Sequence, residues 1–129
     1  MPDPEDDRSV QDACRLYRWL GHEDFKWDHN LARARPTSAV FQHDEMSVVL
    51  GDTLAASGRK PVDVANPCLV SLEARCVRAR GQTIRRDPAD DEPAHGLVLG
   101  RKTGSVRNAF ARCAALVVGP DPPVHPARV

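Results

Sequence analysis

Between Asp87 and Arg112 the chain changes character every few residues. Asp87-Pro88 stops what precedes it, because a residue before proline is pushed out of helical geometry. Pro93-Ala94-His95-Gly96 leads into Leu97-Val98-Leu99, an apolar triplet that predicts a buried strand. Gly100-Arg101-Lys102-Thr103-Gly104-Ser105 is a basic, glycine-punctuated turn. Val106, Phe110, Cys113 and Val117 then share one helical stripe, predicting a helix over 106–117. Short strands mixed with short helices, without regular strand–helix–strand alternation, predict a small α+β fold.

The rest of the chain follows the same grain. Ser9 as N-cap, apolar positions at 10, 13, 14, 17 and 20, and Gly21 predict a helix over 10–20. Residues 22–35 have no clear period and read as a long loop with one short strand at most. Two β-branched runs, 37–41 and 46–50, flank Gln42-His43-Asp44-Glu45 and predict a hairpin. Gly51-Asp52-Thr53 opens a short helix that Gly58 stops, and Pro61 starts a single turn that Asn66-Pro67 closes. Residues 68–80 fit both periods and are read as a strand over 69–71 followed by a helix to Arg80, ended by Gly81. Thr83–Arg86 is a strand. The expectation is one α+β domain over 9–118. Its small mixed or antiparallel sheet of about four to five strands packs against two to three helices. An acidic tail (1–8) precedes it and a proline-rich extended tail (119–129) follows.

Charge is balanced overall but not along the chain. Residues 1–66 carry 8 basic and 12 acidic side chains, and residues 67–129 carry 10 and 6. From Gly96 to Pro120 there is no acid at all, against Arg101, Lys102, Arg107 and Arg112. Such a segment suits an acidic partner. The four cysteines, at 14, 68, 76 and 113, show no C-x-x-C spacing. The acidic, proline-containing start is unlike a signal peptide, and no apolar run has the length of a membrane span. Together these predict four reduced thiols in a cytoplasmic protein, with no membrane.

Several groups of residues could carry chemistry. The 100–105 turn lacks the glycine-lysine spacing of a phosphate loop. What it retains is a predicted helix start beside cations, where an anion would be welcome. Arg101, Lys102, Thr103, Ser105 and Arg107, extended by Arg75 and Arg78, are therefore the candidate ligand-binding residues. His95 and Asp87 lie eight apart on a proline-stiffened loop, a pairing that can orient an imidazole for proton transfer. Asp90, Asp91 and Glu92 crowd the same loop. His22-Glu23-Asp24, Asp28-His29 and His43-Asp44-Glu45 match no metal-ligand spacing, so no metal or other cofactor is predicted. Aromatics are missing between Phe41 and Phe110, which argues against base stacking and leaves nucleic acid a weak partner.

Three blocks, Arg35-Pro36-Thr37-Ser38-Ala39-Val40-Phe41, Met46-Ser47-Val48, and Arg86-Asp87-Pro88 with Glu92-Pro93-Ala94-His95, resemble a set of small bacterial proteins with no assigned activity. The resemblance spans roughly residues 14–118. It implies a bacterial origin and a single domain, and it draws attention to Arg35, Ser38, Asp87 and His95 as the polar members of those blocks. The leading expectation is a non-enzymatic cytoplasmic adaptor that binds an acidic protein or a phosphate-bearing ligand through its C-terminal basic face. The rival is a small hydrolase or transferase with Arg35, Ser38, Asp87 and His95 in one pocket. A third reading is an oligomeric structural protein; the sequence leaves oligomeric state open.

Overall fold

A computed structural model of the chain describes residues 6–126. Its centre is β1 (Arg15–Leu20), which pairs antiparallel on one side with β4 (Glu45–Leu50) and on the other with β5 (Cys68–Glu73). With β6 (Thr83–Arg86), β7 (His95–Leu99) and β8 (Ala115–Val118) these form a six-stranded sheet, ordered β6-β7-β4-β1-β5-β8 and antiparallel throughout. A separate two-stranded sheet joins β2 (Phe25–Asp28) to β3 (Arg33–Pro36).

Strand alternation sorts the side chains by face. Leu16 lies opposite Leu50 and Leu72, while its neighbour Tyr17 lies opposite Val49 and Ser71. The first face carries Leu16, Leu20, Met46, Val48, Leu50, Val70 and Leu72 into the main core. Over it pack α2 (Ala74–Arg78), α3 (Gly104–Cys113) and a 3-10 turn at Ser38–Phe41. The rings of Phe41 and Phe110 meet edge to face, 5.9 Å apart, tying that turn to α3. The second face is covered only in part. There α1 (Gly51–Ala56) sets Leu54 against Val49 and Ala94, with Tyr17, Trp19 and Val64 half-buried beside them.

The class is α+β with three helices, but six strands plus two exceed the expected four to five. The predicted helix over 10–20 is instead the central strand. Leu16 and Leu20 satisfy a helical stripe and an alternating one equally, and pairing on both sides decides for the strand. The hairpin expected over 37–50 is displaced: Thr37–Phe41 coils into the 3-10 turn, and the hairpin forms from β2 and β3, in the supposed loop. Polar atoms hold it. Asp28 Oδ1 accepts the N–H groups of Asn30 and Leu31, and Arg35 Nε donates to Asp28 Oδ2 at 2.6 Å. The 106–117 helix starts at Gly104 and stops at Cys113, because Ala114 is extended and residues 115–118 pair with β5 instead.

Other local readings match. Pro61 is the first residue of a 3-10 turn, and Gly58 and Gly81 take φ of 77° where the preceding helices end. Residues 1–5 and 127–129, parts of the two expected tails, lie outside the described residues. The remainder of the acidic tail is not free. Ile84 donates its N–H to Asp6 Oδ1, and Asp7 donates its own to the Ile84 carbonyl, so this segment covers the outer edge of β6.

The cysteines also differ from expectation. Cys76 and Cys113 form a disulfide that joins α2 to α3, while Cys14 and Cys68 are free. Spacing rules test neighbours in sequence, and this pair is 37 residues apart. No helix among the described residues is long and apolar enough to cross a membrane.

Candidate functional site

The basic face is largely dismantled by its own neighbours. Lys102 is 4% exposed, with its ammonium on the carbonyls of Val98 (3.1 Å), Gly100 (2.8 Å) and Asp44 (3.2 Å). Gly100 takes φ of 140°, which turns the chain back so that this inward reach is met. Burial pushes the lysine down to about 8, with Asp44 opposing the shift. Thr103 caps α3, accepting the Val106 N–H. Arg75 is paired with Glu73. Arg78 is wrapped by the front of the chain: Asp6, Asp12 and the carbonyls of Asp7 and Val10. Of the seven predicted ligand-binding residues, only Arg101, Ser105 and Arg107 keep side chains without such a partner among the described residues.

Of the second set, only His95 and Asp87 are joined. His95 Nδ1 lies 3.0 Å from Asp87 Oδ2 and 2.9 Å from the Asp87 carbonyl, so the expected pairing forms at the β6–β7 end of the sheet. Arg35 belongs to the β2–β3 hairpin, bound to Asp28 and to the carbonyl of Pro36. Ser38 opens the 3-10 turn under α3. No hydrogen bond or ion pair among the described residues joins Arg35 or Ser38 to Asp87 or His95. His95 lines none of the three cavities described next.

One cavity, of about 410 Å³, lies between residues 9–17 and the start of α1. Its carboxylate, Asp52, is already held by Arg86 at 2.6 Å, and burial pushes the Cys14 thiol up, away from the reactive thiolate. Another, of about 300 Å³, opens where β1 leaves β4 beyond Tyr17. Arg18 fills that gap, giving its guanidinium to the carbonyls of Ser47 and Val40.

The third cavity, of about 430 Å³, lies on the partly covered face. Its apolar wall is Trp19, Val49 and Val64; its polar wall is Arg59, Asp63, Asp91 and Glu92. Arg59 and Glu92 neutralise each other through two parallel bonds. Asp63 gives one oxygen to the Lys60 N–H, capping the turn that carries Val64. Asp91 is exposed and has no partner among the described residues. Arg18, which lines the second cavity with Trp19, lies 5.7 Å from the indole centroid, so that ring already holds one cation. The balance in the third cavity, where Arg18 takes no part, is two uncompensated carboxylates beside the indole, an arrangement that favours a cation with apolar bulk.

Sequence reasoning missed this site. The spacing over 10–20 places Trp19 in a helix, and Asp91 stands out in the sequence only as a neighbour of His95. Its walls come from β1, β4, the Pro61 turn and the β6–β7 loop, which no spacing links. Comparison with protein-family models, curated proteins and solved structures returns no match for this chain.

Proposed function

We propose that this is a binding domain rather than an enzyme, and that its ligand is an organic cation: an ammonium or guanidinium group on an apolar body. The observation that carries this is the Trp19 cavity with Asp63 and Asp91 at its polar wall. The indole face attracts a cation, and a carboxylate nearby adds to it in a partly desolvated setting. A catalytic use of the same groups has less support. Glu92 is bound to Arg59 and Asp63 caps a turn, which leaves one wholly free carboxylate and no acid–base pair.

The adaptor class expected from the sequence is kept, with the charge of its ligand reversed. Binding of an acidic partner rests on Arg101, Arg107 and Arg112, the cations of the acid-free segment whose side chains have no partner among the described residues. The hydrolase reading has lost the meeting of its four residues. The oligomeric reading has for support the uncharged edge strand β8, where Leu116 and Val117 are more than a third exposed. A cytoplasmic setting, inferred from four reduced thiols, loses the support of two of them.

Benzylamine and benzyl alcohol are nearly isosteric and differ in charge. Titrated into the 15N-labelled protein, benzylamine is expected to move the Trp19 indole N–H resonance, identified by its absence in Trp19→Phe. Benzyl alcohol is expected to leave it in place. Equal response to both, or response to neither, overturns the reading.

A further inference from the structure

The Cys76–Cys113 bridge sits at the surface. Cys113 is exposed and Cys76 is half-exposed, whereas the free thiol Cys68 is fully buried and Cys14 half-buried. Burial pushes both free thiols up, so neither competes as an internal nucleophile. The bridge joins the last residue of α3 to the middle of the five-residue α2.

Its electrostatic surroundings are positive. Arg112 precedes Cys113 and is exposed; its carbonyl accepts from Arg33, but its guanidinium has no partner among the described residues. Arg107 lies one helical turn and a half earlier, also without a carboxylate among the described residues. No acid occurs between Gly96 and Pro120. On the Cys76 side Arg75 is neutralised by Glu73 and Arg78 by Asp6 and Asp12, while Arg80, exposed and four residues on, has no side-chain partner among the described residues. An incoming anion therefore meets free positive charge around the bridge, and the more accessible sulfur is that of Cys113, which follows Arg112 in the chain.

We propose that this bridge is a thiol–disulfide exchange site for an acidic low-molecular-weight thiol, with Arg112 attracting the carboxylate and the mixed disulfide forming on Cys113. The incoming thiolate attacks Cys113 Sγ and forms a new S–S bond. The Cys76–Cys113 bond breaks, its electron pair leaves on Cys76 Sγ, and solvent supplies the proton. A second molecule of the same thiol attacks the thiol-derived sulfur of the mixed disulfide, releasing the oxidised small molecule and the Cys113 thiol. Two thiols supply the two electrons that the bridge accepts.

The test uses the full chain under native conditions, with glutathione as the acidic thiol and cysteamine as the cationic one. Peptide mass mapping after acid quench is expected to find the glutathione adduct on Cys113. Arg112→Ala is expected to lower the glutathione-to-cysteamine rate ratio about threefold, a size typical of one exposed charge pair. That ratio cancels the intrinsic reactivities of the two thiols. Cys76→Ala, loaded with oxidised glutathione (Cys113 thiolate takes one half and reduced glutathione leaves), is expected to hold the adduct because no Cys76 thiol can displace it; should it fail to fold, the wild-type rates still decide. A bridge that resists both thiols until the protein unfolds overturns the proposal. So does an adduct on Cys76, or a rate ratio indifferent to Arg112.

Discussion

Arg59 and Glu92 meet fork to fork across the mouth of the Trp19 cavity, Nη1 to Oε2 at 2.9 Å and Nη2 to Oε1 at 2.5 Å. Glu92 also accepts the Ala94 N–H, so the pair pins the β6–β7 loop to the segment after α1. The pair cancels its own charge and leaves Asp63 and Asp91 to set the sign of the cavity.

Glu92→Gln unmasks Arg59 and makes the cavity less negative. Benzylamine affinity, read by calorimetry, is expected to fall about fivefold, within the range of a single partly exposed charge pair. Asp91→Asn is expected to act in the same direction, and Glu45→Gln, at the far end of β4, to leave binding unchanged.

The same carboxylate shapes the acid limb of stability. The Arg59 guanidinium holds Glu92 below the ordinary glutamate value of 4.5, against the opposing effect of burial. A depressed carboxyl stabilises the fold at pH above that ordinary value, and the contribution is lost as pH falls through the lower folded value. Melting temperatures followed below pH 5 are therefore expected to fall less steeply for Glu92→Gln than for the wild type.

Lys102 works in the opposite pH range. Its value in the fold is about 8, against an ordinary 10.5. A depressed lysine favours the folded state most above the unfolded value, and that contribution is lost as pH falls toward 8. Stability measured by denaturant titration is expected to gain from this group as pH rises from 8 to 10.5. Lys102→Met is expected to remove that slope. Lys102→Glu, which sets a carboxylate against three carbonyls, is expected to cost about 3 kcal/mol or more.

Arg78 is the clamp on the N-terminal segment, and its side chain is only 11% exposed. Arg78→Ala leaves the Val10 carbonyl without its donor and takes one partner each from the Asp7 carbonyl and the Asp6 and Asp12 carboxylates, at an expected cost of about 2–3 kcal/mol. The edge of β6 is uncovered at the same time. Limited proteolysis is expected to cut within residues 6–12 of the variant well before it cuts the wild type. Equal cleavage rates would show that the segment is held by something other than this guanidinium.

Gly96 faces Leu50 across the β4–β7 pair. A Cβ placed there would lie 2.9 Å from Leu50 Cγ, inside van der Waals contact and in the main core. Gly96→Ala is expected to destabilise by about 1–3 kcal/mol, the usual cost of overpacking. Leu50→Ala in the same chain is expected to recover part of the methyl clash while adding its own cavity, so the two effects should not sum.

Several elements were legible because their signals are local. Pro61 at the start of its turn, Gly58 and Gly81 after short helices, the strand at 83–86 and the 97–99 part of the strand that begins at His95 depend on backbone preferences and on residues a few positions away. The junction at 68–80, a strand passing into a short helix, followed from the same signals. The central strand was misread because Leu16 and Leu20 fit both periods, and only β4 and β5 on either side choose between them. The β2–β3 hairpin went unseen because Asp28 and Arg35 hold it by polar bonds, which hydropathy does not register.

By itself, then, the sequence determined the α+β class, most of the turns, and the uneven distribution of charge between the two halves of the chain. It did not determine what the charges do. That Lys102 points inward follows from three carbonyls that converge on its ammonium, one of them on Asp44, 58 residues away. That Arg78 is spent on the N-terminal segment, that Cys76 meets Cys113, and that Trp19 shares a cavity with Asp91 are likewise products of chain segments brought together on folding. A charge acts as a ligand site or as a structural clamp according to its neighbours in space, and those are set only when the sheet closes its register.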